Sequence, residues 1–223
     1  MTIWQARLVT ALSQPDAPPV LSRDLLKRCA HTARGSHPVP DSTLTWWIRR
    51  AIEEGRLGAV QRGLYLNRFR GSPGRLADAV PNIHRDAVVS LNTVLGDAGV
   101  LNNPTRTVTA VAPLDAGYPP PKLGRKRTTA GTVHFYGIPR RILEAGSPAD
   151  RLEPAERFQH PRATPEKALI DWLYLGRSAR SKRTPPAPGD VDLELLNRRR
   201  LTRLANAAGL SDTLKQWLEL QDR

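Results

Sequence analysis

Residues 42–66 read STLTWWIRRAIEEGRLGAVQRGLYL, and the spacing of the apolar residues changes at Gly55. Before it, Leu44, Trp47, Ile48 and Ala51 follow the i, i+3, i+4, i+7 pattern of a helix with one core-facing stripe. After it, Leu57–Val60 and Leu64–Leu66 are short apolar runs joined across Gln61-Arg62-Gly63, which reads as a β-hairpin. Gly55 closes the helix, and Gly63 supplies the positive φ that the turn requires.

Upstream, residues 3–13 (IWQARLVTALS) read as a first helix, ended by QPDAPPV. Ser22 is an N-cap for a second helix over 23–30, with Asp24 near its positive end. The stretch HTARGSHPVP is a loop, and Asp41 or Ser42 opens the third helix. Three helices followed by a hairpin form the layout of a winged helix. The GSPG stretch sets the expected boundary at residue 72.

Downstream, 75–99 is expected to hold one or two helices broken at Pro81. Residues 106–112 and 131–137 are strand-like through β-branched and aromatic content, with a long basic loop between them. A helix over 165–175 has Thr164 as N-cap and Pro165 at its first position. A basic, proline-containing linker over 177–189 precedes closing helices at 191–208 and 212–220, separated by Gly209 and restarted by Ser211. The expected fold class is therefore α+β. An N-terminal winged helix-turn-helix over 1–72 is followed by a mixed α/β C-terminal domain over 73–223 that ends in helices.

Composition narrows the function. An apolar fraction of 39% suits a folded chain, while a net charge of +13 and a pI near 10.9 point to a polyanionic partner. No apolar run reaches the ~18 residues that suggest a membrane span, and the N-terminus lacks the long apolar stretch of a signal peptide. The lone Cys29 excludes an internal disulfide and a cysteine-cluster zinc site. A cytoplasmic location follows as an expectation, with no cofactor, no metal and no membrane partner.

The third helix turns Ser42, Thr45, Trp46, Arg49, Arg50 and Glu53 away from its apolar stripe. Arginine reads guanine bidentately, and a hydroxyl meets a phosphate or a base edge. Trp46 has two readings, a DNA contact or packing against the first helix. At the hairpin tip Gln61 and Arg62, with Arg68 and Arg70 beyond, suit phosphate or minor-groove contact. Further basic clusters lie at Lys122, Arg125, Lys126 and Arg127, at Arg177, Arg180, Lys182 and Arg183, and at Arg198–Arg200 with Arg203. Each reads first as a solvated face and second as an extension of a DNA footprint.

Catalytic patterns are missing. The histidines are scattered, there is neither a Walker loop nor a GxSxG elbow, and Asp190 and Asp192 follow a proline-rich linker rather than a strand. Negative charge at a helix start accounts for that pair.

Two phrases, Gln61-Arg62-Gly63-Leu64-Tyr65-Leu66 and Ala163-Thr164-Pro165-Glu166-Lys167-Ala168-Leu169-Ile170-Asp171, resemble the AbiEi family of antitoxins. The order of parts between them, including Val89-Ser90-Leu91, agrees as well. The resemblance implies a type IV toxin–antitoxin system of abortive infection. In that family the winged helix binds inverted repeats in its own promoter and represses the operon, which the resemblance implies here too. Its C-terminal domain acts, directly or indirectly, against a nucleotidyltransferase-like toxin. By position it carries over Arg62 and Tyr65 in the wing and Thr164, Glu166, Lys167 and Asp171 in the C-terminal helix, with Glu166 and Lys167 as an antitoxin surface. The basic linker has no counterpart in the family pattern. The expected function is thus a sequence-specific, double-stranded DNA-binding repressor rather than an enzyme. The alternative is a basic interaction module that binds a partner protein or RNA through its C-terminal domain.

Overall fold

The computed structural model describes residues 2–35, 37–103, 105–115, 123–181 and 183–220. Contacts divide the chain into two compact units, Met1–Ala79 with Arg127–Gly131, and Val80–Lys126 with Thr132–Arg223. Helices and sheets are mixed throughout, as the α+β expectation requires.

The first unit runs α1 (Ile3–Ser13), β1 (Val20–Ser22), α2 (Arg23–Arg34), α3 (Asp41–Glu53), β2 (Leu57–Gln61) and β3 (Leu64–Asn67). Its antiparallel sheet has the order β1-β3-β2. The four residues expected to form the core stripe of α3, Leu44, Trp47, Ile48 and Ala51, are all buried. They pack with Leu8 and Leu12 of α1, Leu26 and Ala30 of α2, and Leu57 and Tyr65 of the sheet. Gly55 has φ 71° and Gly63 φ 75°, the left-handed values expected at these two stops. Backbone bonds from Gly55 to Ile52 and from Arg56 to Ala51 close α3.

Two local readings change. Strand β1 fills part of the expected break, and α2 continues four residues past Ala30 because Ala33 also reaches the core. Buried Asn67 donates to the carbonyls of Leu12 and Pro18 at 2.9 and 3.1 Å, which pins the proline-rich turn after α1. The GSPG stretch does not run off as a linker: the Gly74 amide returns to the Asn67 carbonyl at 2.8 Å.

The second unit begins with α4 (Val80–Ile83), β4 (Val88–Val89), α5 (Asn92–Asp97) and β5 (Val108–Pro113). It continues with most of β6 (Gly124–Thr128) and β7 (Gly131–Ile138), whose adjoining ends at Arg127–Gly131 group with the first unit, and with α6 (Arg140–Leu143), α7 (Pro148–Arg151) and α8 (Pro165–Arg177). Helices α9 (Arg198–Ala208) and α10 (Ser211–Glu219) end it. Its sheet has the order β4-β5-β7-β6, with β5 parallel to β7 and antiparallel to β4. Strand β6 lies in the expected basic loop, at the sheet edge, where charged side chains are tolerated.

Helix α8 is capped as expected: the Thr164 hydroxyl accepts from the Lys167 amide, and Pro165 opens the first turn. It is buried on nearly every side, as its apolar run Ala168-Leu169-Ile170 demands. The linker after it is held down. Trp172 Nε1 donates to the Thr184 carbonyl and Trp217 Nε1 to that of Pro186, each at 2.8 Å. Pro185 lies so close to Gly176 that a Cβ there would come within 2.5 Å of its ring. Helix α9 starts at Arg198 rather than 191, since Val191 bridges to Leu101 and the Asp192 amide bonds to Val100.

Candidate nucleic-acid interface

The outer face of α3 exposes Ser42, Trp46, Arg49, Arg50 and Glu53. Trp46 keeps 53% of its surface accessible, and among the described large hydrophobic residues of this unit only Ile3 exceeds it. Its ring also borders a hollow of about 130 Å³ with Gln5 and Val9 of α1. The Arg50 guanidinium stands 5.6 Å from the Trp46 ring centre, and its Nε donates to Glu54 Oε1 at 2.7 Å. Arg49 has no carboxylate partner among the described residues.

Thr45 differs from its neighbours. It is half-buried, and its hydroxyl donates to the Asp41 carbonyl at 2.7 Å and accepts from Arg23 Nη2 at 2.9 Å. The Arg23 amide in turn donates to the Gly63 carbonyl at 2.8 Å. One residue at the start of α2 thereby joins the hairpin turn to the middle of α3. Sequence reasoning missed Arg23. Its position just after the Ser22 cap was the available signal. Lys27 pairs with Asp41 at 2.9 Å, and this hydrogen bond, followed by the lysine charge, holds the Asp41 carboxyl below its usual range.

At the hairpin Gln61 and Arg62 are exposed, as is Arg68, whose guanidinium lies along Gly58. Arg70 instead donates to the Pro15 carbonyl at 2.8 Å, and Arg56 covers Phe69, itself stacked on Trp47. Residues 1–79 carry twelve Lys and Arg against six Asp and Glu. The outward surface of α3 and the hairpin tip therefore form a cationic face with one exposed indole. Such a face has the donors and the charge that phosphates and base edges accept.

The second unit corrects one expectation. Glu166 and Lys167 are 4% and 2% exposed and form no surface. Lys167 is paired with Asp171, whose other oxygen accepts from Ser90 Oγ at 2.8 Å. Burial pushes the Asp171 carboxyl up, against the pull of Lys167 and Ser90. Glu166 accepts from the Asn197 amide at 2.8 Å and from Arg200 at 3.3 Å, fixing the start of α9. Helix α8 is enclosed by its neighbours, so its polar residues had to find partners inside.

The basic clusters also divide. Lys122 and Lys182 lie outside the described residues. Arg125, Lys126 and Arg127 sit on β6, and Arg200 and Arg203 pair with Asp150. Arg177 donates to Thr213, whereas Arg180 is exposed. Asp192 caps the turn at Glu194, and the described residues contain no group of three or more His, Cys, Asp or Glu able to hold a metal. No described helix is long and apolar enough to cross a membrane.

No family model matches the chain. No curated protein matches it either. Among solved structures it is similar to the crystal structure of the RV2827C protein from Mycobacterium tuberculosis. The TM-score is 0.57 at 20% identity, over 100% of this chain and 82% of that one. At that identity the likeness is one of fold.

Proposed function

We propose that the chain is a sequence-specific, double-stranded DNA-binding transcriptional repressor whose N-terminal unit is a winged helix-turn-helix. The observation that carries this reading is the outer face of α3, with Trp46, Arg49 and Arg50 exposed on a helix whose opposite face is core. The element order α1-β1-α2-α3-β2-β3 and the sheet order β1-β3-β2 support it. In this arrangement α3 enters the major groove, and Arg62 at the hairpin tip meets the backbone or minor groove.

The resemblance to AbiEi antitoxins extends the proposal to autoregulation of an operon and to antitoxin action against a nucleotidyltransferase-like toxin. Since Glu166 and Lys167 are buried, a toxin-facing surface belongs elsewhere on the second unit.

The deciding experiment measures binding to the chain's own upstream DNA and to a scrambled duplex of equal length, at several salt concentrations. A preference of about a thousandfold that persists near physiological salt is expected of an autoregulating repressor. Equal, steeply salt-dependent binding to both duplexes would sink the reading and leave the interaction module in front.

A further inference from the structure

The second unit carries a cleft of about 960 Å³, at the upper end of the range of small-molecule sites. Strand β7 forms one wall. Its alternation sends Val133 and Phe135 into the core and leaves His134 and Tyr136 half-exposed on the other face. The end of α8 and the linker after it form the opposite wall, with Trp172, Arg180 and Arg183.

The charge of this cleft is one-sided. Among the described residues, its lining holds two arginines and a histidine and no carboxylate. The Arg183 guanidinium lies 4.7 Å from the Tyr136 ring centre and 4.2 Å from that of Trp172. It donates to Tyr136 Oη at 2.6 Å and to the Asn92 side chain, both neutral, while its Nε is buried with no partner. Burial lowers its pKa from the usual arginine value. Burial, Arg125 and then Arg183 lower that of His134 in the same way. Arg180 is exposed, without a carboxylate partner among the described residues. A partly desolvated cation without a counter-charge is unfavourable, and an incoming anion relieves it.

The rim is the reverse. Leu114 and Leu123 remain 40% and 42% exposed. Both lie over Gly137, where a Cβ would come within 2.3 Å of Leu114 and 2.6 Å of Leu123. An apolar rim beside a cationic wall suits a compact ligand that is planar and apolar at one end and anionic at the other.

We propose that this cleft binds a nucleotide, its base against Leu114 and Leu123 and its phosphate at Arg180, in the positive field of Arg183. A free nucleotide and the terminal nucleotide of a single strand share that chemistry. The site is built from residues of the second unit alone and does not depend on the DNA-binding reading.

Calorimetric titration of the full chain tests the proposal, using the four nucleoside 5′-monophosphates, a 5′-phosphorylated trinucleotide, and inorganic phosphate for comparison. At least one nucleotide is expected to bind. Arg180→Glu and Leu123→Glu, both at exposed positions that leave the core intact, are each expected to weaken it about tenfold. Tighter binding of the monophosphate assigns a free nucleotide, and tighter binding of the trinucleotide assigns a strand end. Saturating duplex DNA is expected to leave the nucleotide affinity unchanged. Failure of every nucleotide and the trinucleotide to bind would overturn the proposal. So would inorganic phosphate binding as tightly as a nucleotide, wild-type affinity in both variants, or displacement by duplex DNA.

Discussion

Arg23 Nη2 and the Thr45 hydroxyl meet at 2.9 Å, and this bond fixes the start of α2 against the middle of α3. The same hydroxyl bonds back to Asp41, so Thr45→Val keeps the shape and removes both links. The expected result in urea denaturation is a loss of about 1 kcal/mol, the usual worth of a hydrogen bond in a partly buried place. Duplex affinity should fall to a similar degree for every sequence, because α3 loses orientation rather than a base contact. An unchanged midpoint would show that the bond holds nothing in place.

On the proposed repressor reading, base contacts and backbone contacts should separate by substitution. Arg49→Ala and Arg50→Ala are each expected to weaken the preferred duplex by about 1–3 kcal/mol and to relax base preference. Arg62→Ala should weaken all duplexes alike and flatten the salt slope by about 1. Fluorescence anisotropy across a set of single-base operator variants distinguishes the two patterns. Three variants with wild-type affinity and slope would remove α3 and the hairpin from the interface.

Lys167 and Asp171 are within reach of one another inside the second unit and almost wholly removed from water. Lys167→Met strands the carboxylate and should cost about 3–5 kcal/mol in unfolding free energy. The double variant Lys167→Met, Asp171→Asn removes both charges and leaves an acceptor for Ser90, so it should be more stable than the single one. A double variant as unstable as the sum of the two single ones would mean that the charges are not coupled.

His134 gives the protein an acid limb. Its pKa in the folded state is depressed by burial and by Arg125 and Arg183, so the unfolded chain binds the proton more readily. The stability it contributes is complete above the unfolded value near 6.5 and is lost as pH falls through the folded one. Urea denaturation at pH 7.5 and pH 5.5 should show a smaller loss for His134→Gln than for the wild-type chain. Equal losses would assign the acid sensitivity to other groups.

The sequence was most legible where periodicity and punctuation agreed. In α3 and the hairpin after it, four stripe residues, two glycines and a pair of short apolar runs all pointed one way, and each took the expected place. Strand β1 was lost among prolines because three residues are too few to show alternation. Strand β6, Gly-Arg-Lys-Arg-Thr, has the composition of a loop, because its pairing to β7 is a backbone matter that its side chains do not advertise. The surface that the resemblance implies at Glu166 and Lys167 is absent, because a match by position carries no information on burial. The apolar run that follows them, Ala168-Leu169-Ile170, was the signal that the helix is enclosed. The cleft was invisible because Tyr136, Trp172 and Arg183 are far apart in sequence, and only the fold stacks them.

The linker after α8 has the composition of a spacer, yet it is fastened at three successive points: Arg183 between two rings, Thr184 and Pro186 by indole donors. A true spacer tolerates changes in length more readily than changes that alter its stiffness. Here the reverse holds. Thr184 is held through its carbonyl, so its side chain can change at little cost, but inserting or deleting a single residue throws every later anchor out of register. The length of this stretch is therefore set by the fold it is fastened to.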